Sequence, residues 1–213
     1  MGYVIGLAIV GLAAVGVSLA WRAMSDRRSL PCPSWLGWMI ENPVARRRSR
    51  ATLAQLDLAP GHRVLDAGCG PGRLTLPMAR AVGPEGSVLA VDIQEAMLRR
   101  VRSKVEAAGV ENAELLHAGL GRGKLPKSSF DRAVMITVLG EIPAAERGAA
   151  LREIREALRP GGFLLVGEVF GDPHFQSLGR VRTLAAEAGL EPGRVFGRRL
   201  AFAIRLERPN GGA

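Results

Sequence analysis

Lysine is nearly missing from this chain: Lys104, Lys124 and Lys127 are the only three among 29 basic side chains, so arginine carries the net charge of +9. A bias of this kind can follow genome composition, so the basic balance alone does not argue for a nucleic-acid partner, and where the charge sits matters more. Cysteine is equally scarce. Cys32 lies in Pro31-Cys32-Pro33 and Cys69 in a glycine-rich stretch. Neither has companions at metal-ligand spacing, so the pair suggests neither a disulfide framework nor a metal site, and no metal is expected. A catalytic thiol at Cys69 would need a base, and none is adjacent in sequence. Charge is also absent from residues 1–21, and that absence has a consequence of its own.

Gly2 to Ala20 is almost wholly apolar, and about 20 such residues suffice for a helix to cross a bilayer. A cleaved signal peptide would begin with a positive region, whereas the first charged side chain here is Arg22. A retained single-span anchor over 1–21 is therefore expected, and the basic residues on its carboxyl side place the rest of the chain in the cytoplasm. Residues 22–50 follow as a linker. Seven arginines against Asp26 and Glu41 give it five of the net +9, and Trp21, Trp35 and Trp38 stand beside them. Indole and guanidinium both favour the headgroup level, so Ser34 to Ile40 is expected along the membrane surface, with the bilayer as a partner. Alternatively Trp35, Leu36 and Met39 pack on the following domain as a lid, and the two arrangements are compatible.

The remainder is organised around Val64-Leu65-Asp66-Ala67-Gly68-Cys69-Gly70-Pro71-Gly72. Arg63 to Asp66 reads as a buried strand, the alternating glycines as a tight loop against which a ligand can lie, and Arg73 to Val82 as a helix. A dinucleotide loop would need a third glycine where Arg73 stands, and Asp66 before the loop would repel a phosphate. Ser87 to Asp92 is a second strand ending in an acid, 26 residues after Asp66. An acid at that place can accept both hydroxyls of a ribose.

This Asp-x-Gly-x-Gly-x-Gly loop with its second acid resembles the first motifs of the class I S-adenosylmethionine (SAM) methyltransferases. The resemblance extends over about Asp57 to Arg208. It implies an α/β fold, a Rossmann-like doubly wound seven-stranded sheet occupying residues 51–208, with 209–213 a disordered tail. The implied cofactor is SAM, held by Asp66, Gly68, Cys69, Gly70 and Gly72 around its methionine part, by Asp92 at the ribose and by Ile93 at the adenine. Gly119, in the loop after the third strand, and Thr137, on the fourth, complete the implied cofactor set.

Arg46 to Leu58 reads as a helix with Leu53, Leu56 and Leu58 inward, Ile93 to Ala108 as another, and Ala113 to His117 as the third strand. His117 could face the adenine or lie on the surface. Many relatives carry an acid in the next loop, but Ala118 to Pro126 has none, and its three glycines suggest a mobile segment. Phe130 to Leu139 is the fourth strand, resembling the family's next motif, whose end lies beside the transferable methyl. Glu141 stands there as a substrate contact or as a cap of the helix Ala144 to Leu158, where the helix dipole favours a carboxylate. Arg159-Pro160-Gly161-Gly162 reads as a tight turn before a fifth strand, Phe163 to Val169. Glu168, Asp172 and His174 could line the acceptor pocket, His174 as a base, or Asp172 could cap a helix from Pro173 to Ala188. Arg194 to Phe196 and Leu200 to Leu206 suggest a closing antiparallel pair.

The expectation is a membrane-anchored methyltransferase acting on an amphiphile, a phospholipid amine or a prenylated quinone precursor, with Glu141 and His174 as candidate catalytic groups. A soluble small molecule or a membrane protein as acceptor, an NAD-dependent oxidoreductase, and a non-catalytic SAM-binding membrane protein are the competing readings. Nucleic acid is not expected as a substrate, because no Asn-Pro-Pro-aromatic motif follows the fourth strand.

Overall fold

The computed structural model describes residue 24, residues 27, 28 and 31–33, and residues 43–210. The expected span over 1–21, the surface segment 34–40 with its tryptophans, and the last three residues lie outside the described residues. Among the described residues no helix is long and apolar enough to cross a membrane.

Five parallel strands form most of the sheet: β1 (Arg63–Ala67), β2 (Ser87–Asp92), β3 (Ala113–His117), β4 (Phe130–Ile136) and β5 (Leu158–Val169). Two further strands, β6 (Glu191–Arg198) and β7 (Ala201–Glu207), close it in the order β3-β2-β1-β4-β5-β7-β6, with β7 antiparallel to both neighbours. This is the expected seven-stranded α/β sheet. Its helices are α1 (Pro43–Leu56), α2 (Thr75–Val82), α3 (Glu95–Ala107), α4 (Arg147–Ala157) and α5 (Leu178–Glu187).

Successive side chains of a strand point to opposite faces, and two cores result. Leu65, Met135 and Leu164 pack with Leu151 and Ile154 of α4 and Val181 of α5. On the other face Val64, Val134 and Leu165 pack with Leu56 of α1 and Met78 of α2. A sheet covered on both sides needs near-continuous apolar strands, which is why Val64 to Ala67 are all buried although Asp66 is among them. The order of building reverses between β1 and β4, and the carboxyl ends of strands at such a switch point are where open α/β sheets bind ligands.

Helix α1 is docked by its last carbonyls. The Arg132 Nε donates to the Leu56 carbonyl at 3.1 Å and the Arg205 guanidinium to that of Gln55 at 2.6 and 3.0 Å. Both guanidiniums lie over the ring of Phe163, at 4.6 and 4.4 Å from its centroid. Helix-end carbonyls without intrahelical partners are thereby satisfied.

Several boundaries differ from those expected. β4 ends at Ile136, not Leu139, because Thr137 takes a φ of 56° and turns the chain. Arg159 to Gly162 is no tight turn: it belongs to β5, which starts at Leu158 with an irregular register against β4 and pairs with Arg208 through Gly161 and Gly162. Helix α4 starts at Arg147 rather than Ala144. α5 starts only at Leu178, capped by the Ser177 hydroxyl, which accepts from the Arg180 N–H. Asp172 caps a turn instead, accepting from the His174 N–H at 2.7 Å.

The loop after β3, expected to be mobile, is tied down by one side chain. The Glu153 carboxylate of α4 accepts from the backbone N–H groups of Gly121, Arg122, Lys124 and Leu125. Replacing Glu153 by alanine leaves all four without that acceptor, and a loss of about 2 kcal/mol in urea unfolding is expected, since bonds to a charged acceptor are the stronger kind. Glu153→Gln, which keeps one acceptor oxygen, is expected to lose less, and new proteolytic cleavage between Leu120 and Leu125 would mark the released segment.

Candidate active site

At the switch point the glycine loop leaves β1 and folds back onto β2. The N–H groups of Gly68 and Cys69 both donate to the Val91 carbonyl, at 2.8 and 2.9 Å. The Gly70 N–H donates to Asp92 Oδ2 at 2.8 Å, while the Gln94 N–H donates to Oδ1, also at 2.8 Å. Gly68 has a φ of +76°, and a Cβ there would collide with the side chain of Val138, so only glycine fits between the loop and the end of β4.

A cavity of about 400 Å³ opens over this loop, within the range of small-molecule sites. Asp66, Gly68, Cys69 and Gly70 form one side of its wall, Asp92, Ile93 and Gly119 another, and Thr137 and Glu141 a third. The structure therefore brings together nearly all the residues expected from the sequence. Gly72 is absent from the wall; it packs against Val101 of α3, and its role is to let loop and helix approach. His117 is also absent. It is exposed, and its Nε2 donates to the Ile93 carbonyl at 2.9 Å, holding the residue that follows Asp92.

Burial sets the charge states. Asp66 is 4% exposed, its Oδ2 accepts from the Thr75 hydroxyl at 2.6 Å, and burial pushes its pKa up to about 6 against the opposing pull of Thr75 and Arg73. Asp92 is raised as well, again by burial, with its backbone donors working the other way. Burial drives the Cys69 thiol well above its ordinary range, which makes it inert as a nucleophile. Thr137 is β-branched and left-handed, a conformation that costs of order 1–3 kcal/mol and that gathers at functional sites. Its N–H donates to the Gly167 carbonyl at 2.8 Å, which holds the turn.

Glu141 does not cap α4. It faces the cavity and accepts at Oε1 from the Cys32 N–H at 3.1 Å, and burial raises its pKa to about 8. The Cys32 carbonyl in turn accepts from Gln94 Nε2 at 2.9 Å. The Pro31-Cys32-Pro33 segment thus straps the site from Gln94 to Glu141; the lid expected from Trp35, Leu36 and Met39 lies outside the described residues.

Glu168 and His174 lie behind the wall rather than on it. Both are buried, and the backbone of His174 presses on Gly140, where any Cβ would collide with the His174 carbonyl. Glu168 accepts from the Gln176 N–H at 3.2 Å and is raised by burial to about 8. The helix expected from Pro173 to Ala188 begins only at Leu178, and the turn before it buries His174 under the loop.

Arg147 is the functional residue that the sequence reading missed. It is 3% exposed, its Nε donates to the carbonyls of Leu139 and Ile142 at 3.1 and 2.9 Å, and its Nη2 to that of Gly140 at 3.1 Å. It therefore fixes the loop that carries Glu141. A signal existed: a cation in the first turn of a helix opposes the helix dipole, and such a placement calls for an outside reason.

The residues fit SAM. Bared backbone at Gly70, where an added Cβ would meet no protein atom within 4 Å, and two acids at adjacent strand ends suit a cationic nucleoside. Each Asp92 oxygen accepts one N–H and retains a lone pair for a ribose hydroxyl.

Known proteins resemble the chain over the same region. Residues 64–162 match the family model described as a methyltransferase domain. The chain is 33% identical over 110 residues to the demethylmenaquinone methyltransferase of Geobacillus stearothermophilus, covering 52% of this chain and 46% of that protein. It is 38% identical over 117 residues to the ubiquinone/menaquinone biosynthesis C-methyltransferase UbiE of Burkholderia vietnamiensis, covering 55% and 47%. The chain thus spans about half the length of these curated relatives. A SAM dependent methyltransferase from Aquifex aeolicus shares the fold, with a TM-score of 0.75 over 83% of this chain and 99% of that one, at 23% identity. Residues 64–162 thus match a methyltransferase domain, and the sheet has the fold of that SAM dependent methyltransferase.

The raised Asp66 pKa gives a test. Below about pH 6 the carboxyl is neutral and no longer attracts an ammonium, so SAM affinity is expected to fall as pH drops through 6, by at most about tenfold per unit for one group. Binding near pH 6 should release protons, visible in calorimetry as a heat that depends on the ionisation enthalpy of the buffer.

Proposed function

We propose that this chain is a membrane-tethered methyltransferase whose acceptor is a prenylated quinone precursor, methylated at the bilayer surface. Glu141 on the cavity wall carries the reading: it is a half-buried carboxylate on the loop where β4 ends, beside the glycine loop. SAM supplies a methyl group already activated on a sulfonium. The protein has then to align the acceptor with that methyl and exclude water, and a phenolic acceptor also needs a base.

Glu141 serves as that base. In its ionised form it would take the hydroxyl proton, so that a ring carbon could bond to the methyl that SAM would supply as the methyl–sulfur bond breaks; loss of that carbon's own proton and return of one to the oxygen would restore the aromatic ring. Arg147 holds the loop in place for this through the three carbonyls around Glu141. Ile136, Val138, Ile142 and Pro143 give the cavity an apolar side suited to a ring with a hydrocarbon tail. The names of the matched relatives favour a quinone over a phospholipid amine. The uncharged stretch of residues 1–21 and the arginine and tryptophan linker that follows support the tether and a cytoplasmic orientation of the domain.

The test is transfer of labelled methyl from SAM by the full-length chain in vesicles holding a reduced demethylated menaquinone, beside vesicles of phosphatidylethanolamine alone. Label in the quinone supports the proposal; label in the phospholipid, or SAM binding with no transfer, overturns it. Because Glu141 must be ionised to act, kcat/KM is expected to rise with pH and level off near 8. Glu141→Gln should lose about 10²- to 10⁴-fold in rate together with that pH dependence.

A further inference from the structure

Arg73 stands where a dinucleotide loop would carry its third glycine, immediately before α2, and it lines the cavity beside Asp66 and Gly70. It is half-buried, and it forms no hydrogen bond or ion pair with the described residues. Burial works against its charge, Asp66 supports it and Arg48 opposes it. A guanidinium has five donors, and keeping one partly out of water without a partner is unfavourable unless a ligand supplies the acceptors.

The other cations on the cavity wall are committed or lie further out. Arg122 is paired with Glu146 at 2.7 Å, and Arg27 and Arg28 are exposed on the N-terminal segment. Meanwhile Asp66 and Asp92 make the interior beside the glycine loop acidic, which suits an ammonium or sulfonium and repels a carboxylate. The amino-acid end of SAM carries both signs. Without a cation near the glycine loop, its carboxylate would be buried among acids.

We propose that Arg73 receives the α-carboxylate of the cofactor, so that the loop reads the amino-acid end as a zwitterion, with Asp66 facing its ammonium. A planar fork of donors matches a carboxylate in a way that lysine does not. The proposal rests on SAM being the ligand of this loop and goes beyond it by assigning the second charge.

Calorimetric binding of three ligands to the full-length chain separates the possibilities. They are SAM; decarboxylated SAM, which keeps the ammonium and sulfonium; and 5′-methylthioadenosine, which lacks the whole amino-acid end. The wild type is expected to prefer SAM over its decarboxylated form by roughly ten- to hundredfold, the range for hydrogen bonds to a charged group. Arg73→Ala should bind those two about equally while its affinity for 5′-methylthioadenosine stays unchanged, which also reports that the variant is folded. Arg73→Lys should restore part of the preference. Retention of the full preference by Arg73→Ala, or its absence in the wild type, overturns the assignment. Failure of all three ligands to bind the wild type would overturn the SAM reading itself.

Discussion

The site depends on a single tie between neighbouring strands. Val91, at the end of β2, accepts two N–H groups from the loop that leaves β1, and Asp92 accepts a third. The parallel register that pairs Asp66 with Ala90 and Ala67 with Val91 makes this possible, since it brings the two strand ends level. The loop therefore needs few bonds of its own. Its main chain can face the cavity because a neighbouring strand already holds it, and Asp92 both shapes the loop and keeps lone pairs for a ligand. A substitution at Asp92 would disturb loop and ligand together, so its effect on binding cannot be divided between the two.

Helix α4 plays the corresponding part on the opposite side. Arg147 at its start holds the carbonyls of residues 139, 140 and 142, and Glu153, two turns on, holds the N–H groups of residues 121, 122, 124 and 125. One helix thus satisfies the loose backbone of two loops with one charge of each sign. Buried backbone groups must find partners, and a short loop cannot provide them internally when it must also leave its inner surface open to a ligand. The charged side chains of α4 provide them from behind.

What could be read in the sequence follows from the range of the interactions. Asp66, Gly68, Gly70 and Asp92 were legible because strand, turn and acid follow one another within a few residues, and local order fixes their place in the sheet. The ties of Arg147 and Glu153 were not legible as such, because the partner of Glu153 is a loop some thirty residues away that meets it only once the sheet has formed. The bond between Cys32 and Glu141 spans 109 positions. Gly72 packs against Val101 of α3 rather than lining the cavity, and a glycine that admits a helix and one that admits a ligand look alike in a motif. His174 lies under the loop rather than on the cavity wall, because the chain after Pro173 forms a turn that buries the segment against Gly140 instead of a helix. The failure to foresee the end of β4 at Thr137 has the same origin, since nothing in a β-branched residue announces a positive φ.

The strap over the site joins two properties that otherwise look separate. Cys32 donates to the carboxylate proposed as base and accepts from Gln94 at the start of α3. Where an acceptor hydroxyl takes the place of the Cys32 N–H on Glu141 Oε1, the exchange is close to even because one donor substitutes for another on the same oxygen. Displacing the strap also exposes Glu141 to water, which would lower its pKa and make it a weaker base, unless the incoming molecule is itself apolar and keeps the carboxylate dry. A hydrophobic acceptor therefore preserves the environment that keeps Glu141 basic near neutral pH. A small polar acceptor does not. The strap lies within residues 22–50, whose arginines and tryptophans are the basis of the proposed contact with the membrane surface.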